Sequence, residues 1–525
     1  MDFSLCPARQ HRLKSVLLAR SGIDFSLYRA RHTQTKVCAT DIEMKRIAII
    51  GAGIAGLAVA HRLLERSTES NEPFEILIFE SGSRLGGIIK TDERDGFLLE
   101  RGPDSFITEK PEAVELARRL GLESKLLPTN ENHRRSFIVR GRRLIPVPEG
   151  FHLIAPALFR PFIKSEILSW PGKARMALDL LLPRLKTNYT TDESLGQFIR
   201  RRLGREALER VAQPMVGGIY TADPEKLSLQ ATMPRFLELE RKHRSIIRGL
   251  HKENRDMNRA DGQSQAQGAR YSLFASFDRG MQVLVDRLAE KLATIGIALR
   301  TRVTSVDLDR TSMQWQLRSE HGTAITVDAV CLAVPAYGAA SLLVETDVLL
   351  AAALKQIPYE STATVNLGYR RADIPHPLNG FGFVVPFVEK RSLIACTFSS
   401  VKFAGRAPQD CALLRGFVGG ALQPELVELD DAEMLARVRA DLRELLGIEG
   451  APLFSEISRW RQSMPQYEIG HIALVNKISE RVAALPGLAL AGNAYSGVGI
   501  PDCIRSGEAA GNSLFTALQK ASIKS

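Results

Sequence analysis

The chain has 525 residues, 45% of them hydrophobic and 25% charged, with 40 glycines and 25 prolines. These are globular proportions, and they exclude fibrous and wholly disordered classes. Apolar runs such as Val348 to Leu354 fall far short of the ~18 residues that a membrane-spanning helix needs.

The net charge is +11, but residues 1–40 carry seven Lys/Arg against Asp2 and Asp24, which leaves +6 for the remainder. The basic tail, residues 1–43, reads as a disordered or non-native start ahead of Met44, and its Arg-rich, acid-poor composition also suits organelle targeting. The six cysteines form no CxxC pair and read as free thiols in a reducing compartment. No histidine stands at metal-ligand spacing, so no metal is expected. No repeat of 20–50 residues and no nucleic-acid recognition module is visible, so nucleic acid is not an expected partner.

Lys45 to Ile50 reads as a buried parallel strand that runs directly into Gly51-Ala52-Gly53-Ile54-Ala55-Gly56 and a helix from Ala55 to about Glu65. A second apolar strand, Phe74 to Phe79, ends in Glu80, 24 residues after the last glycine. This order of strand, GxGxxG, helix, strand and acid is that of a dinucleotide-binding unit. Gly51 makes the tight turn, Gly53 lets backbone N–H groups approach a pyrophosphate, and Gly56 admits close helix packing. Glu80 stands where a ribose-binding carboxylate is placed.

Arg84-Leu85-Gly86-Gly87 and Gly102-Pro103-Asp104 follow. This arrangement resembles the amine-oxidase-like flavoprotein superfamily. The resemblance implies FAD as the cofactor, with both segments along its pyrophosphate and ring. Near the other end, a short strand from Leu488 to Ala491 enters Gly492-Asn493-Ala494-Tyr495-Ser496-Gly497-Val498-Gly499-Ile500-Pro501-Asp502-Cys503-Ile504, and a helix from Arg505 to Gly511 succeeds it. Backbone N–H groups around Val498, Gly499 and Ile500 can stabilise negative charge that develops on a flavin.

The Gly497 to Cys503 string, together with Gly102 to Phe106, Pro214 to Ser228 and Gly380 to Pro386, resembles the protoporphyrinogen oxidase family over about residues 44–520. That family includes bacterial relatives acting on coproporphyrinogen III, and the sequence leaves the two substrates open. The resemblance implies an α/β fold: a Rossmann-like FAD-binding domain assembled from discontinuous segments, an α+β substrate domain and a helical subdomain. The expected divisions are FAD segments at 44–130, 271–340 and 456–525, a helical substrate- or membrane-facing unit at 131–250, a mobile linker at 251–270 and a substrate sheet at 341–455.

A porphyrinogen is a broad apolar macrocycle with carboxylates on its edge, so it needs an apolar slot with a cationic rim. The resemblance implies Phe381, Val384, Thr397 and Phe417 along the slot, with Thr397 a departure from the aliphatic residue usual there. It also implies Gly218 with its carbonyl toward the pyrrole N–H groups. Arg135, in the arginine-rich stretch 134–143, is the candidate for the carboxylate edge. Val303 and Trp460 are expected near the adenine and the flavin. Three hydride transfers with oxygen as acceptor would need no nucleophile or general base, so no catalytic side chain is named. Short amphipathic helices expected between Leu144 and Pro183 suit either a lid or peripheral contact with the cytoplasmic membrane, and the product would pass to the next haem-pathway enzyme. The alternatives are an amine oxidase or carotenoid desaturase of the same superfamily, or a catalytically silent porphyrin-binding protein.

Overall fold

The structure is a computed structural model, and it describes residues 44–184, 192–261 and 273–524. The basic tail and residues 262–270 of the expected linker lie outside the described residues.

A five-stranded parallel sheet gathers residues from three distant parts of the chain, in the order Gly296–Ala298, Glu75–Phe79, Arg46–Ile50, Ala329–Leu332 and Leu488–Leu490. Ile47, Ala48, Ile49 and Ile50 are all buried, because a parallel strand is covered on both faces and its sequence therefore runs continuously apolar. The helix after the glycines, Ile54–Ser70, runs a turn further than its apolar face, closing at Asn71 in the left-handed conformation. Ion pairs Arg62–Glu65 and Arg66–Glu69 support that polar last stretch. The C-terminal helix is Ile500–Lys524, starting five residues earlier than the sequence suggests. Pro501 sits in its first turn, where a missing N–H breaks no bond, so the proline opens the helix instead of delaying it. The two helices approach backbone to backbone: a side chain at Gly507 would run into the Ala55 carbonyl.

The second layer is a seven-stranded sheet in the order Phe454–Pro465, Tyr359–Arg370, Cys411–Gly419, Leu393–Phe398, Gly382–Val384, Phe137–Arg140 and Arg143–Pro146. One face is dry: Val139, Phe383, Cys396, Leu414, Val365 and Leu367 pack with Met434, Val438 and Leu442 of the helix Asp431–Leu446. The arginine-rich stretch is thus a β-hairpin turning at Gly141 on the edge of this sheet, not part of the helical unit. The sheet also runs to Pro465, ten residues past its expected end, while the helices Ala336–Leu342 and Val348–Lys355 pack on the nucleotide sheet.

The helical unit has its own core, including Phe162, Leu195, Phe198, Val211, Val216, Phe236 and Leu250. Within it the fully buried Arg202 donates to Asp179 at 2.6 Å, and Ser245 donates to the other Asp179 oxygen at 2.6 Å, so neither charge is left alone. Between Leu144 and Pro183 only Phe159–Lys164 and Trp170–Ala177 are α-helical. Phe151–His152 pairs with Ala155–Pro156 as a small hairpin, and Leu178–Leu180 is a single 3₁₀ turn. Residues 251–261, expected to be mobile, continue a helix Ile246–Asp261. Buried Ile246, Ile247 and Leu250 anchor its first turns, and Lys252, Glu253 and Arg255 that follow are good helix formers.

Candidate active site

The first turn of the nucleotide unit separates crowded glycines from an open one. Gly51 has φ +101° and donates its N–H to the Phe79 carbonyl at 2.8 Å. A side chain there would strike the Ala333 carbonyl, and one at Gly56 would strike the Gly51 carbonyl. At Gly53 nothing lies within 4 Å of where a Cβ would be. Ala52, Ile54 and Ala55 around it are buried. The Ile54–Ser70 helix that starts here has no capping side chain and no acid in its first turn, so its N-terminal N–H groups and positive dipole end are unspent. That is the chemistry of a pyrophosphate cradle.

The walls of the cradle are tied down. Glu80 accepts Ala52 N–H at 2.8 Å on one oxygen and Gly82 N–H at 2.7 Å on the other, leaving a lone pair on each for ribose hydroxyls. Arg84 turns inward on its own loop, donating to the carbonyls of Ile89 at 2.7 Å, Leu85 at 3.0 Å and Gly87. Gly86 donates to the Ala52 carbonyl at 2.8 Å, and a Cβ on Gly87 would sit 3.1 Å from Gly53 Cα. Val303 is buried with Ala48, Ile50, Leu77 and Phe79, two residues past Thr301, whose N–H reaches the Glu80 carbonyl at 2.9 Å.

Three successive carbonyls join this unit to the seven-stranded sheet. Asn366 Nδ2 donates to Glu100 O at 3.1 Å, Thr364 Oγ1 and Trp460 Nε1 to Arg101 O at 3.0 and 2.9 Å, and Arg415 to Gly102 O. Gly102 is obligatory, since a side chain there would run into the Ile88 carbonyl. Pro103 follows, half-buried. Asp104 is held by Lys402 Nζ at 3.0 Å and accepts from Ser105 Oγ at 2.7 Å. Burial would raise its pKa, but Lys402 and Arg415 outweigh burial and hold the carboxyl well below the usual range. Burial pushes the Glu100 carboxyl the other way, up to about 7, against Met281 N–H and Thr91 Oγ1, each 2.8 Å away.

At the C-terminal end, Gly492 has φ +128° and open space on its side-chain face, and its N–H reaches Ser506 Oγ at 3.1 Å. Asp502 accepts Gly499 N–H at 3.2 Å and is neutralised by Lys110 Nζ at 2.7 Å and by Arg505. Ile500 is in the nucleotide core, while Val498, like Val384 and Tyr220, packs against the core of the helical unit.

Cross-strand register gathers the substrate-side candidates. Directly paired residues share a face. Ile145 pairs with Ile138, Ile138 with Val384, Val384 with Ala395, Ala395 with Phe417, Phe417 with Thr364 and Thr364 with Ser458. Thr397, Arg415, Asn366 and Trp460 lie two residues along on the same face. Val384, Thr397 and Phe417 are half-buried there, opposite the dry core. Phe381 lies just outside the strand, donating to Arg135 O at 2.8 Å and accepting from Phe398 N–H at 2.9 Å.

Gly218 is in the helix Gln213–Tyr220, not in a loop. It is exposed, and a Cβ there would be 3.7 Å from Val384 Cγ1. Its carbonyl, in the last turn, receives no hydrogen bond from the described residues. Of the five arginines in 134–143, Arg134 pairs with Glu131, Arg142 and Arg143 with Glu444 and Glu166, and Arg140 with the Glu166 carbonyl. Arg135 is exposed and has no side-chain partner among the described residues.

The residues that sequence reasoning did not single out are Asn366, Thr364, Arg415, Lys110 and Tyr467. The first three had a signal: polar residues at alternate positions of otherwise apolar strands mark one face as something other than core. Lys110 and Tyr467 act on loops far away in sequence and had none.

The open Gly53 and Gly492 faces, the uncapped helix start and the buried, unpartnered Tyr495 hydroxyl all fit a flavin dinucleotide. The flavin-containing amine oxidoreductase family matches residues 54–513, and the chain belongs to it; its cofactor is FAD. The chain is 36% identical to a coproporphyrinogen III oxidase of Bacillus subtilis (strain 168) over 476 residues, 90% of this chain and 98% of that one. It is 28% identical over 503 residues to protoporphyrinogen oxidase 2, chloroplastic/mitochondrial, of Arabidopsis thaliana, covering 91% and 95%. The crystal structure named "Putative protoporphyrinogen oxidase" from Exiguobacterium sp. 255-15 superposes with a TM-score of 0.78 at 32% identity, covering 90% and 99%.

Two outcomes follow. Gly53→Val fills open space at a φ of −69°, so the chain should fold normally while FAD binds on the order of a hundredfold more weakly, about 2.7 kcal/mol by titration of the apoprotein. Glu100 takes up its proton near pH 7 when folded and near 4.5 when unfolded, so the folded state binds the extra proton between these values. Stability should therefore fall as pH rises from about 4.5 to 7, by on the order of 3 kcal/mol, and denaturant titrations of Glu100→Gln should lack that fall.

Proposed function

We propose that this chain is a porphyrinogen oxidase of haem biosynthesis, with coproporphyrinogen III as the preferred substrate and protoporphyrinogen IX as the second. The observation that carries the reading is the meeting of an apolar strand face with the helix that bears a free carbonyl: a side chain at Gly218 would touch Val384 at 3.7 Å, and Val384 and Val498 both pack against the core of the helical unit. The order of substrates is supported by the similarity to coproporphyrinogen III oxidases, 36% and 34% identical over nearly all of this chain.

FAD, when bound, supplies the two-electron acceptor, which oxygen regenerates, so three rounds remove six electrons. The protein's part is placement. Val384, Thr397 and Phe417 exclude water from one side of the macrocycle, and the Arg415 guanidinium lies over the Phe417 ring, 4.8 Å from its centre, and steadies it. The Gly218 carbonyl, at the negative end of its helix, receives pyrrole N–H groups. The N–H groups of Val498 and Ile500, at the positive end of the C-terminal helix, offset negative charge on the cofactor side. Arg135 is free to pair with a substrate carboxylate.

The setting in the cell is part of the same proposal. Among the described residues no helix is long and apolar enough to cross a membrane. Ile145, at the end of this face, also borders a depression of about 800 Å³ lined by Arg140, Arg143, Glu166, Lys164, Lys173 and Trp170. Trp170 and Leu181 are 70% and 76% exposed. Basic side chains among exposed aromatic and aliphatic ones suit peripheral contact of a cytoplasmic enzyme with an anionic membrane surface, from which the product passes to the next haem-pathway enzyme.

With FAD bound, the chain should produce fluorescent porphyrin and consume oxygen from coproporphyrinogen III faster than from protoporphyrinogen IX; production from neither removes the reading. Gly218→Ala should fold with unchanged stability, because its methyl meets Val384 at ordinary contact distance, yet raise KM by roughly tenfold, about 1.4 kcal/mol. Co-sedimentation with vesicles containing anionic lipid, but not with zwitterionic vesicles, should fall severalfold in Trp170→Ala/Leu181→Ser.

A further inference from the structure

Tyr467 belongs to none of the motifs that define the site, yet it touches both of its sides. It lies between the last strand of the seven-stranded sheet and the helix His471–Ala483, and it is 1% exposed. Its hydroxyl donates to the Asn493 carbonyl at 2.6 Å and accepts Gly497 N–H at 2.7 Å, so one oxygen closes the loop between Gly492 and Val498. Its ring lies flat on the His471 imidazole, with centroids 4.0 Å apart and planes 13° apart. His471 Nε2 is in turn 3.3 Å from the Tyr495 carbonyl of the same loop.

The main chain around Tyr467 faces the opposite way. Its carbonyl accepts Ser228 N–H at 2.8 Å, Ile469 N–H reaches the Lys226 carbonyl at 3.0 Å, and Gln466 Nε2 reaches the Tyr220 carbonyl at 3.2 Å. Tyr220 ends the helix that carries Gly218.

We propose that Tyr467 is a positioning residue: its hydroxyl sets the 493–499 backbone so that the N–H groups opening the Ile500–Lys524 helix face the flavin, while its carbonyl, bonded to Ser228, and the neighbouring Gln466 side chain, bonded to Tyr220, tie that setting to the helix that presents Gly218. This rests on the FAD-dependent reading above. Chemistry explains why the residue is tyrosine. The loop presents one N–H and one C=O to the same buried point, and a hydroxyl can accept from the first while donating to the second. A phenylalanine would keep the stack on His471 and leave both backbone groups unpaired. Burial also pushes the phenol far above the ordinary tyrosine range, so the proton needed for donation is retained.

The test is Tyr467→Phe, compared with wild type and with Tyr369→Phe. Tyr369 is also buried, but it sits in the dry core of the seven-stranded sheet. In Tyr467→Phe the two-electron reduction of bound FAD should become about tenfold less favourable, about 30 mV lower in midpoint potential. The turnover number should fall about tenfold with KM within twofold of wild type. Should the variant retain little FAD, titration of the apoprotein should show about tenfold weaker binding, which is the same loss read at an earlier stage. Tyr369→Phe should move none of these. Wild-type values of potential, FAD affinity and turnover in Tyr467→Phe, or equal shifts in Tyr369→Phe, would overturn the proposal. A wild-type chain that takes up no FAD would instead overturn the reading on which it rests.

Discussion

The arrangement of the site depends on three consecutive peptide carbonyls, those of Glu100, Arg101 and Gly102, and on the side chains that hold them. Asn366, Thr364, Trp460 and Arg415 come from three strands but stand on one face of one sheet, and each spends a donor on this short segment. Buried carbonyls must be paired, so the segment can lie only where that face lies. The nucleotide unit and the seven-stranded sheet are thereby fixed to each other by side-chain donors on backbone carbonyls, and the loops and strands proposed to hold cofactor and substrate share one frame. The ion pairs of Asp104 with Lys402 and of Arg101 with Asp92 and Glu456 brace the same junction from its two sides.

Helix ends supply the polarity inside that frame. Two positive ends, those of Ile54–Ser70 and Ile500–Lys524, begin at the glycine-rich segments proposed to hold the cofactor, the first without any side-chain cap. One negative end, that of Gln213–Tyr220, leaves the Gly218 carbonyl without a hydrogen bond from the described residues, on a helix whose Gly218 lies against Val384. Such dipoles are fixed in place before any reaction and need no reorganisation during it, which suits a chemistry that asks for orientation and charge stabilisation more than for acid or base. The one acid close to the start of the C-terminal helix, Asp502, is offset by Lys110 and Arg505 and so does not oppose that polarity.

The nucleotide unit was legible in the sequence because its determinants are local. A continuous apolar strand, glycines at fixed offsets and an acid at the end of the next strand each follow from one element. Boundaries were less legible where a residue has two meanings. Pro501 can end one element or open a helix, and the polar run after Leu250 serves equally as a linker or as the outer turns of an anchored helix. The arginine-rich stretch 134–143 read as part of the helical unit, whereas its apolar positions Phe137 and Ile138 pair with a strand more than 200 residues away. The shared face of Val384, Thr397 and Phe417 was legible only as separate strand positions, because register across strands is a long-range property. Tyr467 was invisible for the same reason, since its partners Asn493 and Gly497 are identified only by the fold.

The most direct measurement of the central claim is a crystal structure of the FAD-bound chain with coproporphyrin III. The macrocycle is expected on the face of Val384, Thr397 and Phe417, with the Gly218 carbonyl toward its pyrrole N–H groups and Gly497 to Ile500 across the flavin from it. A macrocycle seated in the depression beside Trp170, away from Gly218 and Val384, would contradict that claim.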